Sequence, residues 1–111
     1  MTMFTFNQNK QYAQATTINK LIYLNRKNGY HFFDDATMRS FRSRVHSEVY
    51  GGCVFVTSEK GGYNQPRMYT VRVMHDNGSI ETCSSFGQYP TRYQAHEAAK
   101  HLIKHGFLTV I

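Results

Sequence analysis

Met68-Tyr69-Thr70-Val71-Arg72-Val73-Met74-His75, then Asp76-Asn77-Gly78, then Ser79 to Phe86, is the stretch that decides the fold. In the first run Tyr69, Val71 and Val73 alternate with Thr70, Arg72 and Met74. That is the period of a half-buried antiparallel strand. In the second run Ile80, Thr82, Ser84 and Phe86 alternate with Glu81, Cys83 and Ser85. Asp76-Asn77-Gly78 supplies backbone that tolerates positive φ, so the two runs should form a hairpin.

Downstream, Pro90 leads into a helix that starts near Thr91 and ends before Gly106. Ala95, Ala98, Ala99, Leu102 and Ile103 recur at helical spacing and give it an apolar side to lay on the hairpin. Val71 and Val73 should be buried against Ala98, Ala99 and Leu102. Arg92, His96, Lys100 and Lys104 follow at four-residue intervals and read as one exposed, mostly basic stripe. Phe107 to Ile111 is apolar and β-prone, an edge strand or a docked tail.

Upstream, Cys53 to Ser58 reads as another strand. A loop from Glu59 to Arg67, with Gly61, Gly62 and Pro66, joins it to the hairpin. Two helices are expected before it. The first runs from about Thr17 to Asn28, capped by Thr16 or Thr17. Its apolar side is Ile18, Leu21, Ile22 and Leu24, and Arg26 and Lys27 suit the negative end of the helix dipole. Asn28-Gly29 stops it. The second is capped by Asp34 or Asp35 and turns Met38, Phe41 and Val45 inward, ending at Tyr50-Gly51-Gly52. Arg39, Arg42 and His46 would recur on another side, joined by Arg44. Phe4 and Phe6 alternate within a polar start and favour a short strand there.

The expected organisation is an N-terminal arm, residues 1–16, and a single domain over residues 17–111. The fold class is α+β: a two-layer structure whose three- to four-stranded antiparallel sheet is packed by helices, in the order α-α-β-β-β-α.

A chain of 111 residues holds one compact domain. Hydrophobic residues at 41%, with eight Phe and eight Tyr, can fill a modest core. Thirteen Lys and Arg oppose seven Asp and Glu, a formal charge of +6. That sign favours an anionic partner such as DNA or RNA and counts against a mimic of DNA, which should be acidic. Cys53 and Cys83 are the only cysteines and read as buried free thiols. There is no apolar run of membrane-spanning length and no basic start followed by an apolar core. The expected location is therefore the cytoplasm, with no membrane partner.

Catalytic patterns are missing. Gly51-Gly52 and Gly61-Gly62 lack the lysine and hydroxyl of a phosphate loop, and there is no Gly-x-Ser-x-Gly elbow. The six histidines and two cysteines show no zinc spacing, although His101 and His105 are four apart. Asp34, Asp35, Glu48 and Glu59 could hold a nuclease metal, but the first pair is better explained by helix capping. The expectation is no enzyme activity, no cofactor and no metal. In Thr57-Ser58-Glu59-Lys60, Ser58 and Lys60 could meet phosphate at a strand end, or simply form a polar exit into the loop. Arg39, Arg42 and Arg44 cannot all point one way on a helix, but two can share a face, and arginine suits phosphate through its planar fork. The competing reading is a solvated face neutralised by Asp34, Asp35 and Glu48.

From the second expected helix onward, helix–strand–strand–strand–helix resembles a double-stranded RNA-binding domain. That family grips phosphate with lysines at the start of its last helix. The corresponding start here, Thr91-Arg92-Tyr93-Gln94-Ala95-His96, has one arginine and no lysine pair. Phe32-Phe33-Asp34, Thr37-Met38-Arg39-Ser40-Phe41, Thr57-Ser58-Glu59-Lys60 and Tyr69-Thr70-Val71-Arg72 look like a set of small proteins encoded by bacteriophages and mobile elements. That resemblance implies a phage accessory protein in the cytoplasm of a bacterial host. Such proteins often antagonise host defences, CRISPR systems included.

The leading expectation is a non-enzymatic inhibitor of a host defence protein or nucleoprotein complex, of anti-CRISPR type. It would act through basic surfaces at Arg39, Arg42, Lys60, Arg92, His96, Lys100 and Lys104. The alternative is direct binding of duplex DNA or RNA; a small nuclease ranks third.

Overall fold

A computed structural model describes residues 2–111. The elements run β1 (Thr2–Thr5), α1 (Ile18–Lys27), α2 (Asp35–Arg39), β2 (Arg44–Val45), β3 (Val54–Lys60), β4 (Arg67–Met74), β5 (Ile80–Thr82), α3 (Arg92–His105) and β6 (Phe107–Val110). The fold class is α+β as expected. A four-stranded antiparallel sheet has the order β2-β3-β4-β5, and β1 pairs with β6 in a separate ribbon.

The helix ends follow local chemistry. Thr17 caps α1 by accepting a hydrogen bond from the Lys20 backbone, and Thr91 caps α3 by accepting from Gln94. Gly106 ends α3 at φ 80, the left-handed conformation that glycine adopts at least cost. Asp34 occupies the cap position of α2 but makes no cap bond. Its carboxylate instead meets His31 at 2.8 Å and Arg26 at 3.6 Å.

The second helix departs from expectation. It stops at Arg39, Arg42 turns into the left-handed region at φ 49, and Arg44–Val45 forms the edge strand β2. Met38, Phe41 and Val45 mimic a helical period, but tertiary pairing wins. The outer edge of β3 needs backbone partners. It finds them in Arg44 and Val45, opposite Ser58 and Thr57, and in the Phe41 carbonyl, which accepts from the Lys60 N–H at 2.8 Å. Phe41 is left exposed, its ring 5.1 Å from that of Phe86.

β3 and β4 form the spine, in register from Val54 opposite Val73 to Lys60 opposite Arg67. Opposed residues share a face. One face therefore reads Val54, Val56, Ser58, Lys60 on β3 and Val73, Val71, Tyr69, Arg67 on β4. α3 lies across this face with Ala95, Ala99 and Leu102 buried, and the four valines are fully buried beneath it. The lysine–arginine end of the same face is only half-buried.

The opposite face is also covered. Phe32 and Phe33 set their ring centroids 6.3 and 5.9 Å from that of Phe55. Asn25 of α1 donates to the Gly78 carbonyl at 2.8 Å, tying the helix to the β4–β5 turn. A Cβ at Gly78, which has φ 87, would lie 2.6 Å from the Leu24 carbonyl oxygen, so both the turn and this close approach call for glycine.

The Phe4/Phe6 strand is present, and its partner is the C-terminal β6, from Thr2 opposite Val110 to Thr5 opposite Phe107. Edge-to-face contacts of Phe4 with Phe6 and of Phe6 with Tyr12, and a stack of Tyr12 on His75, connect this ribbon to the end of β4. Cys53 and Cys83 are buried free thiols, as expected. Among the described residues, no helix is long and apolar enough to cross a membrane.

Candidate nucleic-acid interface

Where β2, β3 and β4 run out from under α3, the sheet carries cations instead of valines. A groove of about 660 Å³ opens there, lined by Asp35, Met38, Arg39, Arg42, Ser43, Arg44, Lys60 and Arg67. Three of the sequence-stated candidates, Arg39, Arg42 and Lys60, meet in it. Arg44, which the sequence groups with Arg39 and Arg42 on an expected helix, joins them from the edge strand instead, and Arg67, for which the sequence carries no such signal, completes the set.

Each cation arrives by a different route. Arg39 ends α2. Arg42 is swung out by its left-handed backbone, its guanidinium 5.8 Å from the Tyr63 ring centroid. Arg44 rides the edge strand, and Lys60 and Arg67 face each other where the β3–β4 hairpin leaves the sheet. Arg67 also donates to the Ser58 hydroxyl at 2.9 Å. Burial, and then the neighbouring Arg44, push the Arg67 guanidinium below its usual pKa, a sign of crowded like charge.

Neutralisation decides what this cluster means. Among the described residues, none of these five side chains lies within ion-pair distance of a carboxylate. Asp34 is taken by Arg26 and His31, and Glu48 by Arg92 at 3.1 Å. Asp35 alone lines the groove. A solvated, internally balanced face would have spent its acids here. Three large apolar rings lie exposed on the neighbouring loops: Tyr63, Phe41 and Phe86.

The α3 stripe does not form as expected. His96 is buried, not exposed, because it sits on the side of α3 that meets the sheet. Its ring lies 5.2 Å from that of His46 and accepts or donates at Nδ1 to the Tyr50 hydroxyl at 2.8 Å. Arg92 is paired with Glu48, Lys100 reaches Glu97 at 3.4 Å, and Lys104 is exposed without a pair. A four-residue spacing drifts by about 40° per step, here away from the buried Ala95–Ala99–Leu102 side, so His96 still lies against the core while Lys100 and Lys104 have turned to the surface.

His46, Glu48 and His96 nevertheless cluster with Arg92, beside a second groove that His46 and Arg92 line and that shares Arg44 and Arg67 with the first. Burial, then the positive charge that His96 and Arg92 would carry, lower the His46 pKa; burial and then Arg92 lower that of His96 against the pull of Glu48. Both shifts favour the neutral imidazole. Burial raises the Glu48 carboxyl, but its own backbone N–H, His96 and Arg92 outweigh that and hold it below its usual value.

Glu59 is the clearest misplacement. The strand runs two residues further than its sequence signal, so Glu59 is a buried strand residue and not a loop carboxylate open to a metal. It is held by Arg72, Thr57 and Thr70.

A model for a family of unknown function, DUF7447, matches residues 17–100. No curated protein and no solved structure matches the chain.

Proposed function

The chain belongs to the DUF7447 family of unknown function, and we propose that it is a non-enzymatic module that grips the phosphate backbone of nucleic acid. The observation that carries this is the groove in which Arg39, Arg42, Arg44, Lys60 and Arg67 converge without an ion pair among the described residues. Five like charges held together raise the free energy of the empty protein. Phosphates relieve that repulsion and release their own counterions. Arginine forks add bidentate contacts. The exposed rings of Tyr63, Phe41 and Phe86 flank the groove and suit stacking on unpaired bases.

The resemblance to small phage-encoded proteins supplies a setting. In a bacterial host, a protein of this kind would cover the guide or target nucleic acid of a defence nucleoprotein, a CRISPR effector among them, and so inhibit it. The groove supports the contact with nucleic acid; the defence target is the part that the resemblance contributes.

Two assays test the two levels. Footprinting of labelled DNA and RNA reads occlusion directly: protection is expected with wild type and lost with Arg39→Gln/Arg42→Gln/Arg44→Gln. Adding the protein to an RNA-guided nuclease reaction reads inhibition, which the same variant should lose. Inhibition retained by the variant would move the working surface off the groove.

A further inference from the structure

One donor atom from each of His46, Glu48 and His96 falls within 4.8 Å of the others. The three come from separate places: the residue just after β2, the loop that follows it, and the second turn of α3. Bringing two imidazoles and a carboxylate together is unusual chemistry for a merely structural corner.

Hydrogen bonding fixes which lone pairs are available. The Arg92 Nε can only donate, and it lies 3.4 Å from His96 Nε2, so that nitrogen carries the lone pair. The Nδ1–H of His96 therefore donates to the Tyr50 hydroxyl at 2.8 Å. A second partner that fixes the tautomer and ring of a ligating histidine is the usual outer support of a metal site. His46 Nε2 is buried and has no hydrogen-bond partner, a cost the fold has no other evident reason to bear. The Arg92 guanidinium touches both Glu48 and His96, so a cation already stands between these donors.

We propose that His46, His96 and Glu48 form a binding site for a divalent transition-metal ion of the zinc class, with Arg92 as its displaceable cationic plug. Two nitrogens and one carboxylate match the ligands zinc takes where it keeps an open fourth position. Tetrahedral zinc with arms of about 2.0–2.1 Å needs donors roughly 3.3–3.5 Å apart, so the set closes by about an ångström. The half-exposed Glu48 side chain has the freedom to supply that movement. Arg92 is also more than half exposed and can swing into water. His46 and Arg92 both line the second groove, so the open position faces it. The ion would tie the loop after β2 to α3, and it needs no nucleic acid to bind.

Cobalt(II) and zinc(II) alone are the probes, added to full-length protein at neutral pH. Cobalt should develop visible d–d absorption at one equivalent, and zinc should abolish it in competition and raise the melting temperature. Glu48→Gln should weaken cobalt binding at least tenfold. Arg92→Gln should strengthen it, since the competing guanidinium is gone; a purely structural Arg92–Glu48–His96 latch would show no such gain. His96→Gln should remove the absorption, with circular dichroism confirming the fold. No one-equivalent spectrum, or a spectrum that survives Glu48→Gln and His96→Gln, would overturn the site. Neither result depends on whether the basic groove binds phosphate.

Discussion

The Arg72 guanidinium donates to Glu59 Oε1 at 3.1 Å within the sheet, with Glu59 2% and Arg72 11% exposed. The pair is opposite in charge and fully dressed. Arg72 Nε donates to the Thr57 hydroxyl at 2.8 Å and Nη1 to Thr82 at 2.9 Å; Thr70 donates to Glu59 Oε2 at 3.0 Å. The Phe32 ring covers the guanidinium, 5.1 Å from centroid to carbon. Breaking a buried pair strands a charge, which costs about 3–5 kcal/mol. Arg72→Met should therefore cost that order in chemical denaturation. Pairing it with Glu59→Gln should cost less than the sum of the singles, because the stranded carboxylate is gone. Additive losses would mean the pair is not coupled.

The two cysteines should be inert in the native protein. Burial raises the Cys53 thiol to about 11 and the Cys83 thiol further. A thiol whose pKa lies above ambient pH is mostly protonated, and the thiolate is the reactive form. At pH 8 a disulfide reagent should label neither residue until denaturant is added, and then both. Rapid native labelling would contradict their burial.

Arg42 carries a left-handed backbone, which costs a non-glycine residue about 1–2 kcal/mol. Arg42→Gly relieves this strain but adds unfolded-state entropy of roughly 0.5–1 kcal/mol. The melting temperature should hold or rise slightly while affinity for an oligonucleotide falls. Strain retained at a site that binds nothing would show instead as a gain in stability with unchanged affinity.

DNA and RNA should stay intact with the protein in magnesium or manganese. These ions want clustered oxygen ligands. Here the acids are dispersed: Glu59 inside the sheet network, Asp34 on Arg26 and His31, Glu48 on Arg92. Metal-dependent products on a denaturing gel that vanish with Asp35→Ala or Glu48→Gln would make the protein a nuclease.

The β4–β5 hairpin was legible because alternation and Asn77-Gly78 are local signals that tertiary structure reinforces, although the returning strand ends at Thr82, short of the expected Phe86. The capping of α1 by Thr17 and of α3 by Thr91 is local too. The start of the second helix at Asp34–Asp35 was legible, but its end was not. Met38, Phe41 and Val45 satisfy a helical period, and only the unpaired edge of β3, distant in sequence, turns Arg44–Val45 into a strand. The groove inherits that limit. Arg39, Arg42 and Lys60 stand out as cations, but Arg44 and Arg67 join them only through the β2–β3 and β3–β4 registers. His96 departs from expectation for the opposite reason: a regular four-residue spacing looks like one face, but its slow drift starts beside the buried Ala95 and Ala99 and reaches open surface only at Lys100 and Lys104.

The most direct measurement is fluorescence anisotropy of a labelled oligonucleotide titrated over a salt series. Wild type should bind, with log affinity falling linearly in log salt by about 0.7–0.9 per phosphate neutralised. Arg39→Gln/Arg42→Gln/Arg44→Gln should bind weakly and with a shallower slope, roughly two to three units less negative if all three arginines meet phosphate. Lys100→Gln/Lys104→Gln, on the far side of α3, should bind nearly as wild type. A folded triple variant with wild-type affinity and slope, or no wild-type binding at low salt, would contradict the groove as a phosphate-binding site.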